Sequence, residues 1–206
     1  MKHEHFKSVK RTIILYSTKK FIKEGIKITS IDTIARELHI SKKTIYKYFK
    51  SKDELVYQIV NDILELSNKE TTTISESKLD SYNKFIRIIN YVTYGYIKYQ
   101  KYFIPDLRVK YPQIYNEIFI PHQNNVESLI VRIIKRCQRE RLIVKLSPEV
   151  YMKSYFLILQ SFISNKFKDS LLRDFDVINT TMYIFINGLF NVNHKSKFHK
   201  LSIKDI

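Results

Sequence analysis

The sequence predicts an all-α protein of about nine helices, with a three-helix helix-turn-helix domain at its N-terminus and a second helical domain after it. Three observations carry this. The 206 residues include only 3 Gly and 4 Pro, too few turn residues for sheets and tight hairpins. Apolar residues recur at helical spacing along most of the chain. Between Thr29 and Glu54, three helix starts follow one another within a short distance. A hydrophobic content of 44% supports a real core, and the length suits one larger domain or two small ones.

Taken in order, residues 1–6 read as a loose end. The first helix is expected from Lys7 to Lys23, burying Ile13, Ile14, Ser17 and Phe21, with Gly25 as its C-cap. In the second, Ile31, Ile34, Ala35 and Leu38 fall at i, i+3, i+4 and i+7. His39-Ile40 makes the turn. Ser41 caps the third helix, with Ile40 and Ile45 at the two positions of a hydrophobic staple. Ala35 is the small residue that two steeply crossed helices need where they meet. Ser51-Lys52-Asp53-Glu54 is a capping box that opens a fourth helix over 52–67. The domain therefore covers 1–54, and the fourth helix connects it onward. Residues 68–78 are polar and read as a linker. The second domain covers 79–192. It holds a helix over 80–102, short pieces among Pro105, Pro112 and Pro121, and a long helix from His122 to Arg141. Two last helices follow, from Pro148 to Phe167 and from Asp174 to Val192, before a basic, mobile tail at 193–206.

The third helix, Lys42–Phe49, turns Ile45 and Phe49 inward and leaves Lys42, Lys43, Thr44, Lys47 and Tyr48 on other faces. Such a face suits a DNA major groove with phosphates on either side. Lys42 and Lys43 can donate to guanine O6 or N7, and the Thr44 methyl can meet a thymine methyl. The charge agrees. The chain carries a formal +16. Residues 1–54 hold fourteen Lys or Arg against six Asp or Glu, half the net charge on a quarter of the length. Concentration of this kind favours a polyanion-binding surface. Elsewhere the basic excess fits equally well with a chain generally rich in Lys, Ile, Asn and Tyr.

Chemistry of other kinds finds little support. The three glycines are scattered, so no phosphate loop is available. No Cys or His spacing matches a metal site, and no catalytic set appears, so neither cofactor nor enzyme activity is expected. Cys137 is the only cysteine, which fits a reducing cytoplasm. Its neighbours Lys135, Arg136 and Arg139 would favour a reactive thiolate; an incidental core cysteine is the plainer alternative. There is no signal-peptide pattern and no apolar run long enough to cross a membrane.

The first quarter of the chain resembles the DNA-binding domain of the TetR family of bacterial transcriptional regulators. The resemblance lies in Phe21 and Gly25 closing the first helix, then Thr29-Ser30-Ile31, Ile34-Ala35, Ile40-Ser41, Thr44, Tyr46, Tyr48-Phe49, Lys52 and Leu55. Two departures stand out: His39 where the family usually has Gly, and Tyr16-Ser17 where it usually has two Ala. His tolerates left-handed backbone better than most residues, so the same turn is expected at a small cost.

The resemblance implies a dimeric regulator, in the usual case a repressor released from a palindromic double-stranded operator by a small-molecule effector. Tyr46 and Lys52 would anchor phosphates, Thr29 or Ser30 would cap the second helix and touch phosphate, and Lys7, Lys10 and Arg11 would lie near the DNA backbone. Tyr48 would reach a phosphate or base edge, or instead pack on the first helix. The second domain would bind the effector and dimerise. Tyr91, Tyr94, Phe103, Tyr155 and Phe156 are the candidate lining for an apolar or aromatic ligand. Tyr151, Leu159, Phe162, Met182, Phe185 and Leu189 are the candidate homodimer interface, built as a four-helix bundle. The competing expectation is a non-catalytic protein of the same fold that binds nucleic acid or anionic surfaces through bulk charge.

Overall fold

The computed structural model describes residues 2–163 and 174–189. Its helices are α1 (Lys2–Glu24), α2 (Ile31–Glu37), α3 (Lys42–Tyr46), α4 (Lys52–Glu76), α5 (Ser81–Gln100), α6 (Phe103–Lys110), α7 (Pro112–Ile114), α8 (Ile120–Arg139), α9 (Pro148–Ile163) and α10 (Asp174–Leu189). A π-helical turn, Tyr115–Phe119, joins α7 to α8 without a break. Counting that run as one, nine separate helices lie among the described residues, and none of these residues forms a strand. The fold is all-α. Pro121 was expected to interrupt the chain. Instead the widened turn just before it makes room for a ring that would otherwise press on a carbonyl of the preceding turn.

The chain forms two compact units, Met1–Glu70 with Lys98–Gln123, and Thr71–Ile97 with Asn124–Ile206. The first buries Ile13, Phe21, Ile34, Ile45, Phe49, Leu55 and Ile59 together with Phe103, Ile104 and Leu107 of α6. The second buries Phe85, Ile88 and Ile89 of α5, Ile130 and Ile134 of α8, Tyr155 and Leu159 of α9, and Met182 and Ile186 of α10.

Several boundaries differ from the sequence reading. The first helix begins at Lys2, where a loose end was expected; Phe6 packs on Tyr48 with ring centroids 4.4 Å apart, which gives the opening turns a partner. The polar stretch 68–76 is helix and not linker. Thr71 is buried and Ile74 joins the second core. Such burial outweighs the few tenths of a kcal/mol, roughly, that each poor helix former costs. The connection shortens to residues 77–80, where Asp80 caps α5 through the Asn83 amide. The second unit is also interrupted, since 98–123 belongs to the first. The expected tail, 193–206, lies outside the described residues, as do the expected helix ends at 164–167 and 190–192.

Candidate nucleic-acid interface

The motif is set by hydrogen bonds from short polar side chains. Ser30 accepts from the Thr33 amide at 3.0 Å and opens α2. Ser41 accepts from the Thr44 amide at 3.0 Å and opens α3. Ser51 accepts from the Glu54 amide at 3.1 Å and opens α4. The Glu54 carboxylate reaches back to the Lys50 amide, one residue before the cap. At the end of α2, the Ile40 amide donates to Ala35 and the His39 amide to Arg36. This is a Schellman closure with His39 in the left-handed region at φ 53°. The turn is the expected one, made with His in place of Gly. Backbone bonds from Lys47, Tyr48 and Phe49 carry the helical path of α3 on to Phe49. Of the two departures in α1, Ser17 is the packed small residue, fully buried, and Tyr16 is half-buried against the same core.

Outward from this frame stand Lys43, Tyr46 and Lys47, all exposed. Neither lysine makes an ion pair among the described residues. Lys42 is exposed too, but its ammonium sits 3.0 Å from Asp32 of α2, and that hydrogen bond raises its pKa. Ser30 is exposed beside its cap. Beside α3, Lys7, Lys10 and Arg11 line an open groove between α1 and α4 with Ile14, Leu15, Gln58 and Asp62. Lys10 also lies over the Phe49 ring, 5.5 Å from its centroid.

Four expected contact residues are placed differently. Thr29 is buried, and its hydroxyl donates to the Gly25 carbonyl at 2.8 Å, closing the end of α1 instead of facing a phosphate. Thr44 shares its hydroxyl with Ser41 at 2.7 Å and is half-buried. Tyr48 follows the packing alternative, half-buried on Phe6 of α1. Lys52 points inward: its ammonium donates to the Ile26 carbonyl at 2.6 Å and lies 5.9 Å from the Phe21 ring centroid. Burial lowers its pKa. Loop closure claims Thr29 and Lys52 because the end of α1 leaves the Gly25 and Ile26 carbonyls unsatisfied.

In the second unit, Tyr155 is buried with its hydroxyl 2.8 Å from that of Thr93. Tyr91 and Phe156 are half-buried against the same core, and Tyr94 is half-buried. Phe103 does not belong with them; it is buried in the first unit, because α6 folds there. One turn before Tyr94, the Asn90 Oδ1 atom is buried without a hydrogen-bond donor.

The expected interface residues are core residues as well. Tyr151, Leu159 and Met182 are buried inside their own unit, and Phe185 and Leu189 pack against the same cluster. The Phe162 side chain lies outside what the structure describes. The outward apolar residues are Val150 and Leu157 on α9 and Tyr183 and Ile184 on α10; Leu157 is 66% exposed and Ile184 is 64% exposed. A signal for them existed, since Leu157 and Ile184 fall outside the buried stripe of each helix, on faces that also carry Lys153 and Thr180.

Cys137 is buried and donates to the Ser81 carbonyl, and burial pushes its thiol up to about 12. No group of three or more His, Cys, Asp or Glu among the described residues is placed to hold a metal ion. No described helix is long and apolar enough to cross a membrane.

Capped crossed helices with an outward basic face define a helix-turn-helix of the kind that suits DNA. Residues 13–59, about a quarter of the chain, match the model for bacterial regulatory proteins of the tetR family. A stretch of 70 residues is 33% identical to an uncharacterized HTH-type transcriptional regulator, YhgD, of Bacillus subtilis (strain 168). That match spans 34% of this chain and 37% of the relative, about a third of each. Among solved structures, a TetR/AcrR-family regulator from Thermobifida fusca aligns over 88% of this chain and 98% of its own, with a TM-score of 0.64 and 17% identity. AibR, solved with isovaleryl coenzyme A and operator DNA, aligns over 88% and 99%, with a TM-score of 0.63 and 15% identity. At these identities the likeness is one of fold.

Proposed function

We propose that the protein is a homodimeric repressor that binds a palindromic operator and leaves it when a small apolar or aromatic effector binds the second unit. The outward set Lys43, Tyr46 and Lys47 on a capped α3 supports this most directly. It offers base-edge and phosphate donors at fixed positions, while bulk charge alone would need no such frame. Lys7, Lys10 and Arg11 add phosphate contacts beside it. Dimerisation uses the outward apolar residues of α9 and α10, Leu157 and Ile184 foremost, against a second copy. Two recognition helices on one face of DNA must lie about 34–36 Å apart, so a ligand that alters their spacing weakens binding. A coupling of about 1–3 kcal/mol, roughly 5–150-fold in affinity, is sufficient. The buried acceptor of Asn90 and the Thr93–Tyr155 hydroxyl pair suit an effector that carries a hydrogen-bond donor on an apolar body. AibR, of the same fold, was solved with a small molecule and operator DNA together.

Selection of duplexes from a random-sequence pool tests the reading. The expected result is a two-fold symmetric consensus. Lys43→Ala then weakens that duplex by about 1–3 kcal/mol and relaxes one position, while Tyr46→Phe weakens all duplexes alike. Recovery of no consensus, with binding that vanishes uniformly as salt rises, favours the bulk-charge alternative that the net charge of +16 would support.

A further inference from the structure

The loop between α1 and α2 is held at three consecutive residues. The Gly25 amide donates to Phe21 at 2.9 Å, closing α1. The Ile26 carbonyl accepts from Lys52 of α4 at 2.6 Å. The Lys27 amide donates to the Asp106 carboxylate of α6 at 2.8 Å, across 79 residues of sequence. Asp106 and Lys52 therefore grip the two ends of one peptide group, Ile26–Lys27, with opposite charges, and their attraction reinforces both bonds. Gly25 is required by its backbone, and Asp106 lies close against it. Its φ of 103° lies in the left-handed region, and a Cβ there would sit 2.7 Å from the Asp106 Oδ2 atom. Three residues beyond Lys27, Ser30 caps α2, on which α3 packs.

We propose that Asp106 is a positioning residue for DNA binding: a latch through which α6 holds the α1–α2 loop, and with it the start of the helix-turn-helix. The inference rests on the DNA-binding reading above. α6 is otherwise anchored by Phe103, Ile104 and Leu107, apolar contacts that tolerate sliding. The Asp106 bond is directional and does not.

The test compares full-length wild type, Asp106→Asn, Asp106→Ala and the control Arg108→Ala, which alters an exposed residue of the same helix. Hydrogen exchange at the Lys27 amide, affinity for the tightest duplex selected by the wild type, and Tm are measured for each. Asp106→Ala is expected to speed Lys27 exchange about ten-fold or more and to weaken the duplex about five- to twenty-fold. Asp106→Asn keeps an acceptor but loses the charge, so it falls between, and it serves if the Ala variant does not fold. Arg108→Ala matches wild type. A folded Asp106 variant with wild-type exchange at Lys27, or with faster exchange and unchanged duplex affinity, overturns the proposal. A merely structural role would lower Tm without separating the Asp106 variants from wild type in duplex affinity where all are folded. A wild type that selects no duplex fails the regulatory reading and with it the role of Asp106 in DNA binding, while exchange at Lys27 still decides whether Asp106 holds the loop.

Discussion

The two units are built by different means. In the first, backbone ends are tied by named polar side chains: Ser30, Ser41 and Ser51 at helix starts, Thr29, Lys52 and Asp106 at the α1–α2 loop. In the second, most of the order comes from apolar contact among α5, α8, α9 and α10, with a few buried polar pairs such as Thr93–Tyr155. A hydrogen bond needs one residue type at one place, whereas apolar packing accepts many. The first unit is therefore sensitive to chemistry at exposed and loop positions, the second mainly to volume and charge in its core.

The sharpest test of that contrast is Cys137. Its sequence neighbours are basic, yet its thiol is buried and shifted from an ordinary 9.0 to about 12, so about a thousand-fold less thiolate forms at any pH well below both values. Native protein at pH 8 should react with a thiol reagent far more slowly than protein in urea; equal rates would show that the second core is open. Next in size, Leu159→Asp buries a charge among apolar side chains and should cost on the order of 4 kcal/mol or more. Leu157→Asp, two residues away but exposed, should leave the helical circular dichroism intact and lower the mass seen by light scattering from dimer to monomer. Dimeric Leu157→Asp and Ile184→Asp variants would remove α9 and α10 from the interface. In the first unit, Ser41→Ala and Ser30→Ala each remove a cap and should cost about 1 kcal/mol in urea unfolding. Ser17→Ala has the opposite sign. The Ser17 hydroxyl is buried without a partner, so its removal should stabilise by about 1 kcal/mol. Smallest, His39→Gly and Arg141→Gly relieve left-handed backbone, at φ 53° and 57°, one in each unit; each should gain less than about 1 kcal/mol.

The same contrast explains what the sequence could show. Helix starts were legible because Ser-x-x-Glu and Ser before an apolar repeat name the hydrogen bond they make, and the His39 turn was legible because the next residues begin a capped helix. Which donors face outward was less so. Thr29 and Lys52 look available by residue type, and only the fold shows that the Gly25 and Ile26 carbonyls take them. In the second unit, periodicity located helices but not their neighbours. Tyr151 and Leu159 on α9 and Met182 on α10 each belong to a regular apolar stripe, and a stripe cannot tell a core of its own from a partner's surface. Phe103 failed for a similar reason, since proximity in sequence to the Tyr-rich α5 says nothing about where α6 packs. Nor did the polar composition of 68–76 reveal that Thr71 and Ile74 are buried.

The interruption of the first unit has a consequence for how the chain is made. Synthesis delivers α1 to α4 first, but their core also includes Phe103, Ile104 and Leu107, which emerge only after all of α5. A nascent chain therefore carries an incomplete head, with an apolar seat for α6 left open, while about thirty more residues are added at roughly 5–20 per second. The helix-turn-helix of this protein is expected to lean on α6: arrested chains ending near residue 80 should be cut readily by protease within α1 to α4, and chains extending past Phe119 from an extended tether should resist it.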